Sequence, residues 1–157
     1  MLYIGIDPGV SGGIAILLQG STGVLSIQAA EKMPSTDRDL LDFLDLHVSI
    51  GARAVLERVA SSPQMGVVSA FTFGTSYGAV RMALAAKRIP FEEVRPQKWQ
   101  QALGCLSGGD KNVTKRRAQQ LFPQLTITHA IADALLIADY CRRLSCSNLG
   151  PTKKRSA

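Results

Sequence analysis

The chain has 157 residues, 46% of them apolar and 19% charged, with a formal net charge of +6. That suits one ordinary domain with its own core and excludes both a disordered chain and one that depends on disulfide staples. Residues 1–79 carry four basic and seven acidic side chains, whereas residues 80–157 carry 14 and five, a concentration of positive charge that points to a polyanion, nucleic acid first.

Other classes fall away on simple grounds. The apolar run Ile14-Ala15-Ile16-Leu17-Leu18 is far short of the ~20 residues a bilayer demands. Met1 to Asp7 has neither the basic segment nor the cleavage site of a secretory signal. Cys105, Cys141 and Cys146 are odd in number and unpaired in spacing, so they read as small hydrophobes in a reducing compartment. Together these features predict a cytoplasmic protein.

In chain order, residues 2–7 are β-rich and stop at the turn Pro8-Gly9. Residues 13–18 form a second strand, and the turn Gly20-Ser21-Thr22-Gly23 returns residues 24–30 as a third, an antiparallel meander. Residues 36–48 show helical periodicity, with Leu40, Leu41, Leu44 and Val48 apolar and four aspartates between them. A strand over 52–57, a helix over 64–88 and a strand over 89–94 follow. Helices are then predicted over 96–103, 112–121 and 129–143, with a flexible Ser107-Gly108-Gly109-Asp110 loop before the second. Arg142 and Arg143 would close the last helix, where cations suit the dipole. Residues 1–149 make the domain, and 150–157 a flexible basic tail. The order predicts an α/β fold: a mixed five-stranded sheet, three antiparallel strands then two parallel, flanked by helices.

The chemistry sits on carboxylates. Asp7 and Glu57 end two otherwise apolar strands that this topology makes neighbours, so both emerge at one end of the sheet. Asp133 lies in the apolar helix segment Ala132 to Ala138, and His129, four residues earlier, shares its face. Acids in apolar surroundings are costly unless compensated, and a divalent cation compensates them. Mg²⁺ takes carboxylate oxygens and keeps waters for a substrate, and two ions ~3.5–4 Å apart can cut a phosphodiester. Each residue also has a plainer reading. Asp7 can open an Asp-Pro-Gly turn, Glu57 can pair with Arg53 or Arg58, Asp133 can be an acid near a helix N-terminus, and His129 can be structural. The four at matched strand and helix ends are harder to explain that way.

Several segments carry a family resemblance. Gly5-Ile6-Asp7-Pro8-Gly9 with Ser11-Gly12-Gly13, then Leu56-Glu57-Arg58-Val59, then Ala132 to Ala138 resemble the acidic motifs of the RuvC-like Holliday junction resolvases, which have the ribonuclease H-like fold. The stretches Phe71 to Gly78, Val94 to Gln100, Gly109-Asp110-Lys111, Thr114 to Ala118 and Leu121-Phe122-Pro123 are similar to the bacteriophage and organellar branch. Each motif is weak by itself, but their order and spacing over residues 2–143 are specific. The resemblance implies a homodimer that binds four-way DNA junctions and resolves them by paired symmetric cuts with Mg²⁺ or Mn²⁺, two ions per site. It implies a bacterial or phage-infected cytoplasm, or an organelle. Carried over, Asp7, Glu57 and Asp133 become metal ligands. The family's fourth acidic position precedes the last Asp by three or four residues, which is Ala130 or His129 here. His129 would ligate the metal or move a proton.

For DNA, Lys98, Lys111, Lys115, Arg116 and Arg117 are the backbone candidates, Lys111 at a helix start behind a glycine-rich loop. Phe71, Phe73 and Tyr77 could stack on bases, although core packing suits at least two of them. Gly74 and Gly78 offer a small face for a partner helix or for DNA, and Trp99 reads as core. Alternatives are a broader nuclease of forks and flaps, and an inactive junction-binding protein. An actin-like phosphotransferase, whose phosphate loop also reads Asp-x-Gly, needs two such domains.

Overall fold

The computed structural model describes residues 1–49, 51–60 and 63–147. The basic segment predicted over 150–157 lies outside them. Ten elements follow in order: β1 (Leu2–Asp7), β2 (Gly13–Gln19), β3 (Leu25–Lys32), α1 (Asp37–His47), β4 (Ala52–Glu57), α2 (Val67–Ala86), β5 (Phe91–Val94), α3 (Pro96–Ala102), α4 (Lys111–Leu121) and α5 (His129–Ser147). None of the described helices is long and apolar enough to cross a membrane.

The strands form one sheet in the order β3-β2-β1-β4-β5. β1 to β3 are antiparallel neighbours, and β4 and β5 lie parallel to β1 and to each other. The central strands are apolar on both faces, as a sheet covered on both sides requires. Alternation sorts their side chains. Leu2, Ile4, Ile6, Ile14, Ile16, Ala54 and Leu56 pack under α1 and α2. Tyr3, Ala15, Leu17 and Val55 pack under α3, α4 and α5. By the same alternation Asp7 falls on the face of Tyr3 and Gly5, and Glu57 on the face of Val55. Both therefore look toward α5.

Two glycines set how near α5 comes. A Cβ on Gly5 would stand 2.2 Å from the Ala134 carbonyl oxygen and 2.2 Å from the Ala138 nitrogen. One on Gly13 would stand 2.4 Å from the Ala130 oxygen. The helix backbone rests directly on the sheet at these points, with the Ala130 end beside the strand end that carries Asp7, since Gly13 pairs with Asp7. That contact, more than helix propensity, places Asp133 at the sheet end.

α5 runs past residue 143 to Ser147, so Arg142 and Arg143 do not cap it. They grip the buried Asp139 instead, Arg142 at 2.7 Å and Arg143 at 2.8 Å. A buried carboxylate needs such partners, and this one lies in the middle of α5, six residues beyond Asp133. Cys105 and Cys141 are buried free thiols and Cys146 an exposed one.

Candidate active site

Asp7 closes β1 where the chain turns. Gly9 N–H donates to its Oδ1 at 3.1 Å, and Gly12 N–H donates to the Gly9 carbonyl at 2.8 Å. The turn folds so tightly over Asp7 that a Cβ on Gly12 would lie 2.2 Å from the Asp7 carbonyl oxygen. Glu57 closes β4, in register with Val94 of β5. Trp99 donates its indole N–H to Glu57 Oε2 at 2.7 Å. Asp133 sits on the second turn of α5, with its Oδ1 buried and without a hydrogen-bond partner. The Thr114 hydroxyl supports its charged form.

Electrostatics tie the three acids together. Burial pushes each carboxyl above its ordinary value, Glu57 to about 7. Asp7 and Asp133 add to the rise at Glu57, while Trp99 and Lys111 oppose it. Lys111 opposes the rise at all three acids through its charge, without an ion pair to any of them among the described residues. It opens α4, whose first turn is capped by the Asp110 side chain accepting from Asn112 N–H at 2.9 Å. The preceding loop is an organised turn: Ser107 donates to Gln100 Oε1 through both its backbone N–H and its hydroxyl, and Asp110 N–H donates to the Ser107 carbonyl. His129 is exposed at the start of α5 and also favours the ionised form of Asp133.

These shifts predict how the metal-free protein responds to pH. The Glu57 carboxyl titrates near 4.5 when unfolded and at about 7 when folded. Its contribution to stability is complete below about pH 4.5 and lost as pH rises through 7, because the unfolded chain ionises freely and the folded one does not. The loss is at most about 3 kcal/mol. In EDTA the melting temperature should therefore be higher at pH 5 than at pH 8. Glu57→Gln should flatten the difference, which calorimetry would measure.

The residues fit a hard divalent cation. The donors are carboxylate oxygens, and one of them, Asp133 Oδ1, is a buried acceptor without a donor. Among the described residues no group of three His, Cys, Asp or Glu side chains is arranged to hold a metal ion. Mg²⁺ is usually bound through one or two carboxylates, with waters and substrate phosphates completing its shell.

The basic and aromatic residues divide. Lys98, Lys111 and Arg116 are exposed and Lys115 half-buried, and of these only Lys111 bears on the pKa of the three acids. Arg117 is committed to the fold, its Nε–H donating to the Leu103 carbonyl at 3.0 Å. Phe71 is 77% exposed on α2. Phe73 is half-buried. Tyr77 packs on the core under α1 and α2, beside the Arg81–Glu93 ion pair.

No protein-family model and no curated protein sequence matches the chain. Solved structures do. RuvC of Thermus thermophilus, in complex with a Holliday junction substrate, superposes with a TM-score of 0.69 at 18% identity, covering 96% of this chain and 97% of that one. A second T. thermophilus RuvC structure gives 0.63 at 20% identity, covering 92% and 97%. The chain has the RuvC fold. The yeast mitochondrial Holliday junction resolvase Ydc2 is more distant, with a TM-score of 0.50 at 14% identity over 90% and 83% of the two chains. The RuvC fold, with its ribonuclease H-like mixed sheet, matches the architecture expected from the sequence.

Sequence reasoning missed the groups that hold the acids. Trp99 is core, yet its indole N–H reaches Glu57. Thr114 was legible only as part of a motif, though it lies three residues after Lys111 and so on the same helix face.

Proposed function

We propose that this chain is a divalent-metal-dependent endonuclease that binds four-way DNA junctions and resolves them by paired cuts. The observation that carries the proposal is the gathering of Asp7, Glu57 and Asp133, partly desolvated, at one end of the sheet, where all three feel the charge of Lys111. A cluster of half-buried acids is poorly suited to stability and well suited to holding cations against a phosphodiester. Asp7, Glu57 and Asp133 would hold Mg²⁺ or Mn²⁺, two ions per site, with His129 at the rim. Bound there, the ions would activate a water and stabilise the leaving oxygen.

The chain's own residues supply the rest. Gly9 and Trp99 hold the carboxylates of Asp7 and Glu57. Lys111, at a helix N-terminus, receives the phosphate. Lys98, Lys115 and Arg116 extend the positive track. The superposition on a RuvC solved with a Holliday junction supports this reading. Two symmetric cuts need two sites, so we read the protein as a homodimer. The uncovered face of α2, with exposed Val67, Val68, Phe71 and Met82 and open space over Gly74 and Gly78, is the surface a second copy would take. Its place would be with DNA, in a cytoplasm or an organelle.

The test is cleavage of a synthetic four-way junction, with linear duplex and a fork mimic alongside, in Mg²⁺, Mn²⁺ and EDTA. Paired symmetric nicks near the branch point, absent in EDTA, are expected. Equal cutting of every branched substrate would make it a general debranching nuclease. Tight binding without cutting in either metal would leave a junction-binding protein.

A further inference from the structure

We propose that Trp99 is a positioning residue: its indole N–H fixes the carboxylate of Glu57 so that the other oxygen is held ready for the metal. The inference rests on the proposed function and concerns a residue that touches neither substrate nor metal.

The geometry is specific. Trp99 is the only tryptophan in the chain and is 0% exposed. An indole N–H can only donate, and burying it without an acceptor costs about 1–3 kcal/mol. Its acceptor is Glu57 Oε2 at 2.7 Å, the short distance of a bond to a charged group. Among the described residues no other hydrogen bond to the Glu57 carboxylate is seen. A glutamate at a strand end has a broad terminal torsion, and one donor on a rigid ring removes that freedom at one oxygen.

The ring is itself held from several sides. Val94 stands in register with Glu57, and Arg58 N–H donates to the Val94 carbonyl at 2.8 Å. Two residues on, Pro96 opens α3 with its φ already set for a helix. The fourth residue of that helix is Trp99, packed with Tyr3, Val55, Leu103 and Ala118. Its neighbour Gln100 holds the Ser107 end of the loop that leads to Lys111. One turn of α3 thus sets both the carboxylate and the approach of the lysine. A donor-only group also favours the ionised carboxylate that a cation needs, against the burial that opposes it.

Groups that orient metal ligands typically contribute 10–100-fold to affinity or activity. Trp99→Phe keeps an aromatic ring and deletes the donor. The expected result is a cutting rate at saturating junction lowered by about 10–100-fold, a higher Mg²⁺ concentration for half-maximal cutting, and unchanged junction affinity in EDTA. A second readout needs no activity. In ¹⁵N-labelled wild-type protein the single indole N–H resonance should shift as Mg²⁺ is added, and Glu57→Gln should displace the metal-free resonance and remove the response. A folded Trp99→Phe protein with wild-type rate and Mg²⁺ requirement would overturn the proposal. So would an indole resonance indifferent to Mg²⁺ in protein that cuts, and this measurement decides alone if Trp99→Phe does not fold. A wild-type protein that cuts no junction overturns the function, whereas one that cuts with an indifferent Trp99 overturns only this inference.

Discussion

Asp133→Asn, and separately Asp7→Asn, should slow junction cutting by about 10³-fold or more while junction affinity stays within a few-fold of wild type. Either change swaps a carboxylate for an amide of the same shape. The fold has little to lose from it. Burial already disfavours the charge at both positions, and the amide oxygen at residue 7 can still accept from Gly9 N–H. At Asp133 the change leaves the orphaned buried Oδ1 site without a charge to desolvate. The metal-free variants should therefore melt no lower than wild type at pH 8. What they lose is the anionic oxygen that would hold a cation against the scissile phosphate. Single-turnover cleavage, gel-shift binding in EDTA and calorimetry together check the prediction. If both variants fail to fold, the carboxylates belong to the scaffold and the assignment to chemistry falls.

Gly5→Ala should be among the most damaging single substitutions available, costing about 4 kcal/mol or more. The new methyl would sit 2.2 Å from two backbone atoms of α5, not against a side chain that could swing aside. Either the helix lifts from the sheet or the central strand buckles. Both separate Asp133 from Asp7, so surviving protein should also cut poorly. Gly20→Ala is the matched control. Its nearest neighbour would be the Val24 carbonyl at an ordinary 3.8 Å, and a change within about 0.5 kcal/mol is expected. Urea denaturation of the two variants separates them. Similar destabilisation of both would mean that the α5 contact yields more easily than its geometry says.

Much of this was legible in the sequence because its signals are local and periodic. Strand alternation, turn glycines and helical spacing are written in neighbouring residues, and they placed the elements to within a few positions. They also placed Asp7 and Glu57 at the ends of neighbouring strands, so that both emerge at one end of the sheet. The order of acidic motifs pointed to the resolvase family and to the fold that the solved structures share.

The remainder depended on contacts between residues far apart in the chain. Local periodicity could not show that Arg142 and Arg143 serve a buried Asp139 in mid-helix, because the helix end is set by packing beyond residue 143. Nor could it separate Arg117, which braces the Leu103 carbonyl, from the exposed Arg116 beside it. Trp99 and Glu57 are 42 residues apart. Their hydrogen bond exists because β4 and β5 pair in register and α3 turns back over the strand end. Residue types and spacing thus pointed to which groups could do chemistry and at which end of the sheet they emerge. Only the tertiary structure decided which donors hold them, because a hydrogen bond depends on a fraction of an ångström that no sequence pattern encodes.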